Sequence, residues 1–391
     1  MKHYDLAIVG GGMVGLALAC SLKNSALSIA IIDAAPLTPS LDPRLIALNH
    51  TSYSLFKNID LWGALAPHAT AIHQVHVSTQ GKFGSTILNA NEINLPQLGY
   101  LVPAQHINTA LQDRVASLQN IDSYRPAKLI GIDQEPDQVI VKMSHAEHVH
   151  ITASIVIAAD GTHSTVRELA GIATEEFDYA QQAIVTITEL QRDHHHIAYE
   201  RFLPTGAIAM LPLTGQRAAT IWSDKTNTIS ELMQYSDTEF LEKLRSHFGY
   251  RLGRLLAIQK RFVYPLKFIR AKETIKQRVI LIGNAAHTLH PVAAQGLNTA
   301  LYEIAELVEK IQAFGLKNTH ELAPQQWAGN KIKLSHSLAQ LFTTDFFIVN
   351  SARQAGMIAL DVCSSAKREF IQRIMGTKGR IPALLQEELT P

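Results

Sequence analysis

What most restricts the fold is how the chain begins. Leu6-Ala7-Ile8-Val9 is short and apolar, as a buried parallel strand requires, and it runs straight into Gly10-Gly11-Gly12-Met13-Val14-Gly15. In the spacing Gly-x-Gly-x-x-Gly each glycine has its own task. Gly10 permits the tight turn, Gly12 lets the backbone approach a pyrophosphate, and Gly15 lets the next helix lie close on the sheet. A helix predicted from Met13 to about Leu22 then directs free N–H groups and its positive dipole end at the phosphates. A second strand, Ser28 to Ile32, ends in Asp33, where a carboxylate can accept hydrogen bonds from a ribose. An acid at this point suits an unphosphorylated ribose, as in FAD or NAD rather than NADP. Lys2, an apolar stretch and Ala17-Leu18-Ala19-Cys20 imitate a signal segment, but cleavage would destroy the glycine turn, and we reject that reading.

Two later segments repeat the pattern of an apolar strand opening into a turn of small residues. Ile157-Ala158-Ala159 leads to Asp160-Gly161, whose carboxylate can meet ribityl or ribose hydroxyls. Ile280-Leu281-Ile282 leads to Gly283-Asn284, whose amide can both donate and accept. The chain continues through His290-Pro291 to Gly296-Leu297-Asn298, at the start of a helix whose N–H groups suit negative charge on a reduced ring. Three distant segments around one nucleotide imply a single large cofactor held along its length. We read that cofactor as FAD.

Composition excludes other classes. A formal net charge of +1 gives no electrostatic case for nucleic acid. Cys20 and Cys363 form no Cys-x-x-Cys pair, which argues for a reducing compartment and against a disulfide framework or cysteine metal site. No apolar run reaches the roughly 18 residues that span a bilayer. The expected location is the cytoplasm. His194-His195-His196, beside Arg192 and Asp193, reads as a polar surface loop rather than a metal site, and His145, His148 and His150 read the same way. No metal is expected.

The 391 residues accommodate an α/β chain with a discontinuous Rossmann-like FAD-binding domain. Its expected segments are 1–71, 101–177 and 269–322. A mostly antiparallel β-sheet substrate domain is inserted at 178–268, joined by strands from 72–100, and a helical C-terminal region covers 323–391. Alternation at Ala183–Thr188, Ile197–Leu203, Ala207–Leu213 and Ala218–Trp222 carries the inserted sheet. After Gly296, Leu297, Leu301, Ile304, Val308 and Ile311 fall on one helical face, with Glu303, Glu306 and Lys310 elsewhere.

On these residues the chain resembles the group A flavoprotein monooxygenases over nearly its whole length. More narrowly it resembles their ubiquinone-biosynthesis branch, of the 2-polyprenyl-6-methoxyphenol hydroxylase type. Gly10, Gly12 and Gly15 match the glycine motif, and Asp160-Gly161 with Arg167 match a motif that serves FAD and NAD(P)H. Gly283-Asn284, His290-Pro291 and Gly296-Leu297-Asn298 match the region around the ribityl chain and flavin ring, and Arg44 matches an arginine near the flavin. Glu200-Arg201-Phe202 leading to Ala209-Met210-Leu211-Pro212 is similar to the same branch. The chain departs from the family at Ala294 and Ala300, usually Gly, at Tyr302-Glu303, often Arg-Asp, and at Gln105, frequently Arg.

The resemblance implies hydroxylation of a polyprenylated phenol with NAD(P)H as co-substrate and O2, through a flavin C4a-hydroperoxide. The cofactor carries that chemistry, and the protein supplies position and a dry pocket. Pro291 would set its backbone against the flavin edge, while His290 is either a proton relay or a structural histidine. Two alternatives stay open: a small soluble phenol as substrate, and a non-catalytic flavin scaffold in a quinone-biosynthesis complex. Phe346-Phe347-Ile348, Met357-Ile358 and Phe370-Ile371, with Lys367, Arg368 and Arg373, read as a helical cap, with contact to the inner face of the membrane as the alternative.

Overall fold

The computed structural model describes residues 1–37, 42–82, 84–145, 147–289, 295–323 and 362–387. His290, Pro291, Ala294, Phe346-Phe347-Ile348 and Met357-Ile358 lie outside the described residues.

An eight-stranded sheet organises the nucleotide-binding part. Lys2–Val9 pairs in parallel with Ile29–Ile32 on one side and with Glu147–Ala158 on the other. Ile121–Tyr124 extends the sheet beyond Ile29–Ile32, and Val279–Leu281 extends it beyond Glu147–Ala158, both in parallel. Parallel neighbours need crossover connections, so strands distant in sequence become adjacent in space. Leu6–Val9, Ile29–Ile32, Ile155–Ala158 and Val279–Leu281 are apolar because both faces of the sheet are covered there. One face packs on the helices Met13–Ser21, Ala104–Ala116 and Gln295–Phe314 through Leu16, Ile107, Leu111 and Ile304.

A second sheet, of nine strands, forms the inserted layer. It runs from Phe262–Ala271 through Thr174–Leu190, Arg217–Lys225, Ala207–Leu213 and Ile197–Phe202 to Gln74–Thr79 and Ser85–Asn89. His287–Thr288, just past the third glycine motif, pairs with Ile269 and Arg270 and so stitches the two sheets together. This layer is not purely β. The helices Thr226–Gln234 and Asp237–Phe248 cover one face through Ile229, Phe240 and Phe248 on Trp222 and Met210. Ser236 and Glu239 make a reciprocal capping box at the second helix, a signal already present in the sequence. The other face meets the nucleotide-binding part, where Leu45, Ala47 and Leu101 pack on Leu211, Leu213, Ala219 and Ile221.

Glu303 and Glu306 lie off the apolar stripe, yet both carboxylates are buried, because Gln295–Phe314 is covered on nearly all sides. One expectation is corrected. His194 is not a surface residue: its Nε2 lies 2.7 Å from the Leu213 carbonyl oxygen, bracing the next hairpin, while His195 is exposed. The helix Ser364–Met375 puts Ile371 into a cluster with Leu88, Ala90 and Leu98, so this part of the C-terminal region packs on the protein.

Candidate active site

Register explains how three distant motifs form one site. Tyr124, Ile32, Val9, Ala158 and Leu281 are direct neighbours across five strands. The residues that follow them at the C-terminal edge therefore also line up: Arg125, Asp33, Gly10, then Asp160 and Gly283. At ~4.8 Å per strand the row is about 19 Å long, a span suited to an extended dinucleotide.

The glycine turn is fixed by close backbone contacts. Gly10 has φ +109°, and a Cβ there would stand 2.3 Å from the Ala159 carbonyl oxygen. A Cβ on Gly15 would stand 1.9 Å from the Gly10 carbonyl oxygen, so only glycine lets the helix approach. Gly12 differs, since an added Cβ would meet nothing within 4 Å among the described residues. It is also the N-cap of Met13–Ser21, and no side chain caps the helix. The first N–H groups of that helix thus face open space, the arrangement that receives a phosphate.

At one end of the row, Asp33 Oδ2 accepts from the Gly11 N–H at 2.5 Å and Oδ1 accepts from the Ala35 N–H at 2.7 Å. Arg125, buried, brings its guanidinium to 3.5 Å from Asp33. A Cβ on Gly11 would meet that guanidinium at 2.8 Å, so Gly11 leaves room for it. Arg125 carries no motif signal. Its place follows only from the pairing of Ile121–Tyr124 beside Ile29–Ile32.

At the centre, Asp160 Oδ2 accepts from the Val166 N–H at 3.1 Å, while Oδ1 is buried and has no hydrogen-bond partner among the described residues. Such an orphaned acceptor costs stability unless a ligand hydroxyl satisfies it. Gly161, at φ +86°, again has nothing within 4 Å of an added Cβ among the described residues. Arg167 is occupied with the protein itself. Its guanidinium donates to the carbonyls of Ala285 and Thr162, each at 2.9 Å, and Thr288 donates to Thr162 at 2.9 Å. Arg167 therefore clamps the second motif to the third.

At the far end, Gly283 adopts φ +56° over Val14 and Ala300. The Ala300 methyl packs under this turn, 3.4 Å from where a Gly283 Cβ would be. Glu303 holds the turn from below, accepting the Gly283 N–H at 3.0 Å and lying 2.6 Å from His287 Nε2. The departure from the family at this position thus has a structural task. Asn284 is exposed, free to meet a sugar hydroxyl. Asn298 bridges instead to the strand Leu45–Asn49, accepting from the Asn49 N–H at 3.0 Å and donating to the Ala47 carbonyl at 2.9 Å. Gly296 and Leu297 are partly open at the start of their helix. Arg44 ends that strand's approach with a bidentate bond to Asp42, and Gln105 is exposed beside His106.

The open space at Gly12 and Gly161, the uncapped helix and the orphaned Asp160 oxygen fit one extended dinucleotide. The family comparison agrees: the chain belongs to the FAD-binding family, whose model, described as an FAD binding domain, matches residues 3–319. Among relatives, the ubiquinone hydroxylase UbiL of Rhodospirillum rubrum is 32% identical over 96% of this chain and 90% of its own length. The 3-demethoxyubiquinol 3-hydroxylase of Escherichia coli is 29% identical over 95% of this chain and 98% of its own. The p-nitrophenol 4-monooxygenase PnpA of Pseudomonas putida shares the fold at a TM-score of 0.78 and 18% identity, covering 97% of this chain and 100% of its own. The chain is an FAD-dependent hydroxylase of this family.

Proposed function

We propose that this protein hydroxylates the ring of a polyprenylated phenol in ubiquinone biosynthesis, with 2-polyprenyl-6-methoxyphenol as substrate and NAD(P)H as electron donor. The observation that carries the reading is the full-length match to a ubiquinone hydroxylase at 32% identity, on a chain whose nucleotide row is intact. Bound FAD supplies electron transfer from NAD(P)H and activation of O2 for attack on the ring.

The remaining roles belong to the chain. The first turn of Met13–Ser21 neutralises pyrophosphate charge, and Asp33 with Arg125 takes the adenosine end. Asp160 Oδ1 and Asn284 accept and donate to hydroxyls along the linker. Leu211 and Ile221, partly exposed on the sheet face that meets Leu45 and Ala47, would give a dry, apolar wall beside the ring. A polyprenyl tail dissolves in the membrane, and the substrate reaches the protein from the membrane surface. Among the described residues, no helix is long and apolar enough to cross a membrane.

The test is anaerobic reduction of the bound flavin by NADPH, with and without a short-chain 2-prenyl-6-methoxyphenol. Bleaching accelerated by the phenol supports the reading. A flavin that stays oxidised under both conditions contradicts it in favour of a scaffold, and equal acceleration by simple unprenylated phenols contradicts the prenylated substrate.

A further inference from the structure

Glu200 lies in the strand Ile197–Phe202, where alternation fixes the direction of each side chain. Its neighbours point to the helix layer: Tyr199 packs edge-on against Phe248 at 5.8 Å between ring centroids, and Arg201 Nε donates to the His247 carbonyl at 2.8 Å. Glu200 therefore projects from the opposite face, the one that meets the nucleotide-binding part. There it belongs to one cross-strand row, Val77, Glu200, Ala209, Ile221, Val185, Phe262. Every other member is apolar. Two strands away, roughly 10 Å at sheet spacing, Ile221 joins the cluster on which Leu289 packs and the cluster on which Leu45 and Ala47 pack. Leu289 directly precedes His290-Pro291 in the chain, so this row runs from Glu200 toward the residue that leads into that motif.

A carboxyl in this place is costly, because burial opposes its charge. Protein surrounds it deeply, and burial pushes it up to about 7. It makes no hydrogen bond or ion pair among the described residues, yet its side chain keeps partial exposure, so it borders open space. Among the described residues no charged group offsets it. Arg201, His76 and Arg251 interact with one another on the helix side of the sheet. Arg44, near Tyr264, is paired with Asp42, and Lys367 is paired with Glu92.

We infer that Glu200 receives the phenolic hydroxyl of the substrate and takes its proton. The inference rests on the phenol reading above. The phenolic O–H bond breaks, the proton moves to a Glu200 carboxylate oxygen, and the electron pair stays on the phenolate oxygen. The same proton returns to the product's oxygen before release, so the residue is regenerated. A free phenol titrates near about 10. Transfer to a carboxylate held at about 7 is uphill by a few pH units, accessible as a step and useful because the phenolate ring is richer in electrons at its ortho and para carbons.

The experiment compares FAD-loaded wild type, Glu200→Gln and Glu200→Asp on 2-prenyl-6-methoxyphenol, measuring kcat/KM across roughly pH 5.5 to 9. In wild type it should rise with pH up to a limb near 7, because the base must be ionised, and then level off. Glu200→Gln should keep its flavin, lose the limb, and lose about 10²-fold or more in kcat/KM at high pH. Glu200→Asp should restore the limb and part of the rate. A Gln variant within threefold of wild type, or one that keeps the limb, overturns the assignment while leaving the phenol hydroxylase reading intact. A wild type that neither binds nor turns over the phenol sinks that reading, and this inference with it. If Glu200→Gln fails to hold FAD, the wild-type profile decides: no limb near 7 overturns the assignment.

Discussion

Gly12→Val separates cofactor binding from folding, because among the described residues nothing lies within 4 Å of the new Cβ and Gly12 has φ −85° and ψ −173°, open to any residue. The fold should lose little: exchange of a glycine N-cap for a β-branched one amounts to about 1 kcal/mol or less. The cofactor should lose much more. The added side chain occupies the approach to the uncapped first turn of Met13–Ser21. Each charge-assisted hydrogen bond from that turn to a phosphate contributes about 1.5–3 kcal/mol. Losing two weakens FAD binding by about 3–6 kcal/mol, roughly 10²–10⁴-fold. The assay is FAD titration of the apoprotein by flavin fluorescence quenching, alongside its denaturant midpoint without FAD. A Gly12→Val protein that folds normally and binds FAD as wild type does would refute the placement of the pyrophosphate. One whose apoprotein no longer folds would refute the open space.

Gly15→Ala should behave in the opposite way, lowering the denaturant midpoint of the apoprotein itself, since its Cβ meets the Gly10 carbonyl oxygen at 1.9 Å and the helix must shift. Glu303→Ala should cost about 2–5 kcal/mol in urea unfolding, because it strands the buried Gly283 N–H and His287 together. Burial pushes the Glu306 carboxyl up from 4.5 to about 7, so the folded state binds its proton more tightly than the unfolded chain. That contribution is fully present below about 4.5 and is lost as pH rises to 7, on the order of 3 kcal/mol. Glu306→Gln should flatten this stretch of the stability profile and be more stable than wild type at pH 8; an unchanged slope assigns the dependence elsewhere. Arg167→Ala should raise the FAD dissociation constant about tenfold or more, since the second and third motifs lose their shared clamp, and an unaltered titration would remove that role.

The nucleotide row was legible in the sequence because its constraints are local. Gly10, Asp160 and Gly283 each stand just past a strand end, and Gly15 in the first turn of the helix Met13–Ser21, where backbone geometry limits the residue. Arg125 was not legible, since only the parallel pairing of Ile121–Tyr124 puts it beside Asp33. Glu303 stood out as a departure from the family, but its task depends on a helix buried all round, which charge patterning argues against. Thr226–Gln234 and Asp237–Phe248 were overshadowed by the alternating runs that precede them, although Ser236 and Glu239 announced the second. Glu200 appeared within a family-like stretch, and its direction became clear only when Tyr199 and Arg201 were seen on the other face.

The central claim is that this FAD-dependent chain places oxygen on the ring of a prenylated phenol. The most direct measurement is turnover of 2-prenyl-6-methoxyphenol with NADPH under ¹⁸O₂, followed by mass and ring-position analysis of the product. The account predicts one ¹⁸O atom in a new ring hydroxyl para to the existing one. NADPH consumption that yields only hydrogen peroxide and unchanged phenol, with prenyl tails of several lengths, would contradict it.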